Sequence, residues 1–219
     1  MRALIASGTG RYADPWHPFP QTTPLIAEVL DGAGFDVTVS DHVDDAMRSL
    51  SDVDLLVVNA GDPWRAEGGE ASAPSASIDG FAEALGRGLG VLAFHCAVAS
   101  LRDYPEWAPA VGGMWVPGLS FHPPFGLVDV TGLAVPGGKV IGDFTVEDER
   151  YCRIQRIGRS QTVAQFEGPD ATEPAAWVRE AGASRVAVDV LGHDERSYAS
   201  PGHRRLIGQL ARWTVGADD

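Results

Sequence analysis

The sequence predicts a single α/β domain in which helices cover a parallel sheet. Over the first hundred residues, short apolar runs alternate with amphipathic segments, which is typical of strands joined by crossover helices. The length of 219 residues suits one such domain, 1–219, and we find no linker or internal repeat that would divide it. The hydrophobic share of 44% is that of an ordinary globular protein and supplies a core without disulfides.

The first half contains four predicted strands separated by helices. The strands are expected at 3–6, 35–39, 54–59 and 90–94. The first helix is predicted to begin with Thr23 as its N-cap and Pro24 at its first position, and to end at Gly32 and Gly34. Two more helices are expected, one over 44–50 and one containing Ile78 to Leu85.

The second half changes character, because its apolar runs are separated by turns rather than by helical segments. Strands are predicted at 125–130, 151–157, 161–166, 175–179 and 185–190. Ser200 and Pro201 have the pattern of an N-cap and a first helical residue, and they predict a final helix with Leu206, Ile207, Leu210 and Trp213 on its apolar face.

Charge and composition exclude several classes of partner. The net charge of −13 argues against nucleic acid and against an anionic membrane surface, because phosphate recognition needs a basic face. The chain has neither the roughly 20 consecutive apolar residues of a membrane span nor the apolar run of a signal peptide. Two cysteines, Cys96 and Cys152, cannot form a disulfide framework. We therefore expect a cytoplasmic protein with reduced thiols, and a homo-oligomer remains open.

Ligands of open parallel sheets bind beyond the carboxyl ends of the strands, so the loops at those ends are the first candidates for a site. The loop 8–20 carries Trp16 and His17, the loop 59–65 carries Asp62 and Trp64, and the turn 95–100 begins with His95 and Cys96. At a strand-to-helix turn an imidazole can act as an acid or base, and a thiol can have a lowered pKa. We favour function for His95 and a packing role for Cys96.

Three more residues are candidates because of their surroundings in the sequence. His122 is held between Phe121 and two prolines, Glu149 lies in an acidic run before a predicted strand, and His193 follows the strand 185–190. His42 and His203 are interpreted as exposed histidines outside the site. Phosphate loops, nucleophile elbows and paired Cys-x-x-Cys motifs are absent, so no cofactor is expected. The separated His and Glu residues could converge on a divalent metal such as zinc, but their spacing alone selects none.

Taken together, these motifs resemble the ThuA-like (trehalose utilisation) family over nearly the whole chain. The segments that carry the resemblance are His95-Cys96-Ala97, Gly112-Gly113-Met114-Trp115, Phe121-His122-Pro123-Pro124, Asp148-Glu149-Arg150-Tyr151, Pro174-Ala175-Ala176-Trp177, Leu191-Gly192-His193-Asp194 and Trp213. The family is similar in fold to class I glutamine amidotransferases. The resemblance therefore implies a three-layer α/β/α sandwich with a mostly parallel, flavodoxin-like sheet. Glutamine hydrolysis is not expected, because His95 stands where those enzymes place a nucleophilic cysteine.

The resemblance also implies a sugar substrate, which aromatic platforms beside fixed polar groups would suit. The leading hypothesis is acid–base isomerisation of a disaccharide or keto-sugar, with His95 or His193 as base, Glu149 as acid and His122 polarising the carbonyl. The residues expected to bind the substrate are His17, Asp62, Trp64, Cys96, Trp115 and Tyr151. Two alternatives stay open, namely a non-catalytic sugar-binding or regulatory protein and a Cys96-dependent amidase or hydrolase.

Overall fold

A nine-stranded sheet dominates the computed structural model, which describes residues 1–62, 72–138 and 140–217. The strands are β1 (Arg2–Ser7), β2 (Asp36–Ser40), β3 (Leu55–Asn59), β4 (Gly90–Phe94), β5 (Gly113–Met114), β6 (Gly126–Gly132), β7 (Phe144–Asp148), β8 (Gln155–Arg156), β9 (Gln161–Glu167), β10 (Thr172–Ala181) and β11 (Ser184–Asp189). The helices are α1 (Phe19–Gly32), α2 (Val43–Arg48), α3 (Ser75–Arg87), α4 (Trp107–Val111) and α5 (Pro201–Thr214). Strands β5 and β8 form a separate two-stranded sheet.

The large sheet has a parallel half and an antiparallel half. Its order is β2-β1-β3-β4-β11-β10-β9-β6-β7. The first five strands pair in parallel, in the strand order of flavodoxin-like sheets, with β11 as the fifth strand. The remaining four pairings are antiparallel. The predicted α/β class with a flavodoxin-like parallel sheet is confirmed, and the antiparallel strands extend that sheet at one side.

Burial explains why the central strands form. Every residue of β3 and β4 is buried, as expected for a parallel sheet with helices on both faces. Helix α1 packs against α5, and α2 packs against α3. Because crossover connections are right-handed, the turn from β1 to β2 and the return to β3 place α1 and α2 on opposite faces. The result is the three-layer arrangement.

Helix α1 begins earlier than predicted, at Phe19 rather than after Thr23, and Pro24 lies inside it. Thr23 is buried and is not a cap. Its hydroxyl lies 2.8 Å from the hydroxyl of Ser7 at the end of β1, and it accepts a hydrogen bond from the Asn59 amide at 3.0 Å. The prediction of the helix start was wrong because Thr23 has partners that are remote in the sequence.

The second half also departs from prediction, because α4 and β5 were not predicted and two further strands differ. The strand expected over 151–157 shrinks to Gln155–Arg156, and strand β7 (Phe144–Asp148) was not predicted. Strand β7 lies at the edge of the sheet and mixes exposed and buried positions, so its apolar signal is weak. The final helix is confirmed, with the Ser200 hydroxyl accepting a hydrogen bond from the backbone of His203.

Strand direction decides where a site can form. Four successive antiparallel pairings from β11 to β7 leave β7 running in the same direction as β11 and β4. The residues that follow β1, β4, β7 and β11 therefore all lie at one edge of the sheet. Within the described residues, no helix combines the length and the apolar character that crossing a bilayer would require.

Candidate functional site

Three histidines and a glutamate converge at the carboxyl edge of the sheet. His17 follows β1, His95 follows β4, Glu149 follows β7 and His193 follows β11. One possible ligand atom from each residue lies within 4.8 Å of the corresponding atoms of the other three. We call these four residues the His–Glu centre.

The orientation of His95 is fixed by both its backbone and its ring. Its φ of 43° lies in the left-handed region, which few non-glycine residues adopt, at the start of a 3₁₀ helix (His95–Ala99). Its Nδ1 lies 2.8 Å from the carbonyl oxygen of Val190. A carbonyl can only accept, so Nδ1 carries the ring proton and Nε2 keeps a lone pair. That Nε2 lies 3.4 Å from Oε2 of Glu149.

Glu149 is the acidic member of the centre. Its Oε2 lies 3.3 Å from Nδ1 of His193 as well as near His95. Burial alone would raise the pKa of Glu149, but the neighbouring His193 and His95 outweigh it and hold that pKa well below its usual range. Burial would likewise lower the pKa of His193, and the adjacent Glu149 reverses the direction and raises it. The carboxylate of Glu149 is therefore ionised at neutral pH.

His17 is held by a carboxylate on the preceding turn. Its Nδ1 lies 3.2 Å from Oδ1 of Asp14, which also accepts the backbone N–H of Trp16 at 2.9 Å. On the other side, Nε2 lies 3.4 Å from the hydroxyl of Tyr151. Burial, together with the nearby His95 and His193, lowers the pKa of His17 to about 4 against the opposing effect of Asp14. His17 is therefore neutral at neutral pH.

A pocket of about 410 Å³ opens onto the centre. The residues that line it are Asp14, Trp16, His17, Asp62, Cys96, Ala99, Trp115, His122, Glu149, Tyr151 and His193. Its aromatic wall is formed by Trp115 and Tyr151, whose rings are 4.6 Å apart, and Trp16 is 62% exposed. The volume lies in the range of small-molecule sites.

His122 and Tyr151 reach the pocket on neighbouring segments. The backbones of Phe121 and Cys152 exchange two hydrogen bonds, of 3.2 and 2.8 Å, which tie the His122 loop to the chain after β7. The His122 side chain is 41% exposed, with Nδ1 3.4 Å from Oε1 of Glu149 and 3.1 Å from the carbonyl of Pro123. His122 thus approaches the carboxylate oxygen that does not face His95 and His193.

The donor atoms of the centre fit a divalent metal ion. Nε2 of His95 and Nδ1 of His193 are buried and make no directed hydrogen bond within the described part of the chain. Nδ1 of His17 faces Asp14, so Nε2 is the nitrogen that His17 can offer to a metal. Three imidazoles and a carboxylate form a donor set that zinc binds, and a tetrahedral site with bonds of about 2.1 Å separates its ligands by roughly 3.4 Å. Glu149 Oε2 lies 3.4 Å from the His95 nitrogen and 3.3 Å from the His193 nitrogen. The Nδ1–H bond of His95 to a carbonyl is also the usual outer contact of a metal-bound histidine.

The structure brings the predicted site residues together, although their roles remain predictions. The predicted residues that belong to the centre or line the pocket are His17, Asp62, His95, Cys96, Trp115, His122, Glu149, Tyr151 and His193. Trp64 lies outside the described residues. The thiol of Cys96 lies on the pocket wall and donates to the carbonyl of Ala60 at 3.3 Å.

Two features of the site escaped the sequence interpretation. Asp14 was not predicted, although its position three residues before His17 is a signal for a carboxylate that orients a histidine. His203 was predicted to be exposed, and this was wrong, because it is fully buried and its Nε2 lies 2.9 Å from Oδ2 of Asp189. Its helical spacing from Leu206, Ile207 and Leu210 places it on the same inward face of α5, which the sequence already contained.

Comparison with known proteins gives one family. The family model described as ThuA, trehalose utilisation, matches residues 2–214. Among curated proteins, none matches the chain.

Solved structures give the same fold. A ThuA-like protein from Parabacteroides merdae superposes with a TM-score of 0.77 at 17% identity, over 99% of this chain and 90% of that one. One from Bacteroides uniformis gives a TM-score of 0.69 at 17% identity, over 100% and 92% of the two chains. A cytoplasmic protein from Salmonella typhimurium gives a TM-score of 0.60 at 12% identity, over 99% of this chain and 98% of that one. At these identities the likeness establishes the fold alone.

Proposed function

Since the chain belongs to the ThuA family, whose description as trehalose utilisation supports a role in sugar metabolism, we propose that it is an enzyme that moves a proton beside the carbonyl group of a keto-sugar. The observation that carries this proposal is the His–Glu centre at the base of an aromatic-walled pocket. A pyranose ring offers apolar faces to aromatic side chains and hydroxyls to polar groups, and this pocket supplies both.

We propose further that the centre holds a divalent metal ion such as zinc, through His17, His95, His193 and Glu149. The fit rests on the two buried ring nitrogens of His95 and His193 without directed hydrogen bonds and on their spacing around Glu149. When bound there, the ion would supply a Lewis acid for the carbonyl oxygen of the sugar. Because Glu149 is ionised and His17 neutral, both are in the protonation state that a metal ligand needs.

In this assignment the proton is moved by His122. Its Nδ1 faces the carbonyl of Pro123, which can only accept, so Nδ1 carries the ring proton and Nε2 keeps a lone pair. Nε2 removes a proton from the hydroxyl-bearing carbon beside the carbonyl and returns it to the former carbonyl carbon. The hydroxyl proton passes from the first oxygen to the former carbonyl oxygen, so the carbonyl moves by one position and no atom is gained or lost. Trp115 and Trp16, which line the pocket, contact the faces of the sugar ring.

The hypothesis from the sequence uses the same centre without a metal. In it His95 or His193 is the base, Glu149 is the acid and His122 polarises the carbonyl. It requires a protonated Glu149, whereas His193 and His95 hold the pKa of that carboxyl well below its usual range. The two assignments differ in one measurable property, since only the first depends on a divalent metal.

The test follows the exchange of the carbon-bound proton in D₂O by ¹H NMR, with keto-sugars derived from disaccharides as substrates. We expect exchange by the zinc-loaded protein, loss of exchange after chelation, and recovery when zinc is restored. His122→Asn should lower the rate by about 10²- to 10⁴-fold, the usual contribution of a general base, while zinc remains bound. His42→Asn is the matched control, since His42 is exposed at the start of α2.

Each of three other outcomes would indicate a different function or mechanism. Exchange that persists after chelation and is lost in His95→Asn favours the metal-free mechanism. Keto-sugar binding without any exchange indicates a sugar-binding or regulatory protein. Amide hydrolysis that disappears in Cys96→Ala indicates the Cys96-dependent hydrolase.

A further inference from the structure

Asp148, the last residue of β7, is a buried carboxylate outside the pocket that accepts four hydrogen bonds. Its Oδ1 accepts the backbone N–H groups of Glu149 at 2.8 Å and His193 at 3.2 Å. Its Oδ2 accepts the N–H of Gly192 at 2.7 Å and the hydroxyl of Ser197. Asp148 is 1% exposed. A buried charge with this many donors is fully compensated, so it forms a fixed point in the structure.

These bonds join two strand ends that the sheet keeps apart. Strands β7 and β11 are separated in the sheet order by β10, β9 and β6. Asp148 nevertheless binds the backbone on both sides, so the ends of β7 and β11 lie close together. Two of its donors are the N–H groups of Glu149 and His193, the two members of the centre whose side chains approach each other at 3.3 Å.

A series of buried, hydrogen-bonded side chains holds Asp148 in place. The Ser197 hydroxyl, which donates to Asp148, lies 3.0 Å from Nδ1 of His203. That Nδ1 is also 3.1 Å from the carbonyl of Ser197, an acceptor only, so it carries a proton. Nε2 of His203 faces Oδ2 of Asp189 at 2.9 Å, and Asp189 closes the series by accepting the N–H of Leu191 at 3.0 Å.

The arrangement of serine, histidine and aspartate resembles a nucleophilic triad, but the hydroxyl cannot act as a nucleophile. Ser197, His203 and Asp189 are each 0% exposed, so no substrate reaches them. The Ser197 proton is already donated to Asp148. The series therefore serves to orient rather than to react.

We propose that Asp148 is the positioning residue of the His–Glu centre, setting Glu149 and His193 at ligand distance through their backbone N–H groups, and that Ser197, His203 and Asp189 hold Asp148 in place. This inference rests on the proposed function for its consequence, since the spacing that Asp148 sets is the spacing a metal ion would need. Asp148, Ser197, His203 and Asp189 neither touch the sugar nor bind the metal. They set the spacing of two residues that would bind it.

The experiment titrates zinc against a competing chelator in the full-length wild type and in two variants. Asp148→Asn replaces one accepting oxygen by a donor, and we expect zinc affinity to fall by about 10- to 100-fold, the usual effect of an outer-shell partner. Ser197→Ala removes one of the four donors, and we expect a loss of about tenfold. The matched control is Ser184→Ala at the opposite end of β11, because Ser184 is equally buried and donates to the carbonyl of Leu85 at 3.0 Å. It should leave zinc affinity unchanged.

A second readout needs no metal. The ¹H–¹³C resonances of the His193 ring, recorded on metal-free protein, should shift in Ser197→Ala and stay in place in Ser184→Ala. Unchanged zinc affinity and unchanged His193 resonances in Ser197→Ala would overturn the proposal, even if Asp148→Asn fails to fold. If the wild type binds no zinc but the His193 resonances move only in Ser197→Ala, the positioning role stands and the metal assignment fails.

Discussion

At the scale of single residues, the site depends on how each ring nitrogen is paired. The bond from His95 Nδ1 to Val190 leaves Nε2 as the nitrogen that faces the centre, and Asp14 restrains His17 in the same way from the outside. Glu149 lies where both His95 and His193 approach one carboxylate oxygen. Its charge raises the pKa of His193 and faces the Nε2 of His95, so Glu149 is the residue whose loss should matter most.

Replacing Glu149 by glutamine tests this role. We expect Glu149→Gln to weaken zinc binding by at least about 100-fold, beyond the effect of an outer-shell change, because a ligand charge is lost while the shape is kept. Glu147→Gln is the control two residues earlier, where the carboxylate is partly exposed and pairs with Arg196 at 3.1 Å. The measurement is a chelator-competition titration, and equal zinc affinity of the two variants would contradict the role given to Glu149.

At the scale of elements, helix α5 contributes more than a covering layer. Its N-terminal Ser200 hydroxyl donates to the carbonyl of Thr145 in β7 at 2.8 Å, and one turn later His203 is buried against Asp189 at the end of β11. Burial would lower the pKa of His203, but the charge and hydrogen bond of Asp189 outweigh it and raise that pKa above its ordinary value. The helix thus carries a charged pair into the core.

This pair predicts a pH-dependent stability. Because the folded pKa of His203 is raised above the unfolded value of about 6.5, its contribution is fully present below that pH and is lost as pH rises through the folded pKa. The difference in free energy of unfolding between wild type and His203→Gln should therefore be larger at pH 6 than at pH 9, as measured by urea denaturation. The exposed His42→Gln should show no such trend. A difference that grows with pH would show that His203 is buried neutral.

At the scale of the whole molecule, the site joins the two halves of the sheet. His17, His95 and His193 follow strands of the parallel half, and Glu149 follows the last strand of the antiparallel half. The parallel half could be predicted because β1, β3 and β4 are continuous apolar runs, β2 alternates, and helical segments lie between them. The predicted ends of these strands were correct, and they made His17, His95 and His193 candidates for the site.

The antiparallel half could not be predicted to the same depth. Strand β7 is an edge strand with a weak pattern, and the approach of Glu149 to His193 depends on the direction of four intervening pairings and on the twist of the sheet. The burial of His203, by contrast, could have been predicted, because its helical spacing from Leu206, Ile207 and Leu210 places it on the inward face of α5. The links that matter most, from Asp148 to Gly192 and His193, span 44 and 45 residues and leave no local signal.

X-ray absorption spectroscopy of the zinc-loaded protein measures whether the four residues of the His–Glu centre bind one divalent metal ion. We expect one equivalent of zinc with nitrogen and oxygen neighbours only, at about 2.0–2.2 Å and with imidazole scattering. The imidazole component of the same spectrum should weaken when His95 and His193 are both replaced, because only His17 remains as an imidazole ligand. A sulfur neighbour at about 2.3 Å would instead place the ion at Cys96 or Cys152, and absence of bound zinc would remove the metal from the proposed mechanism.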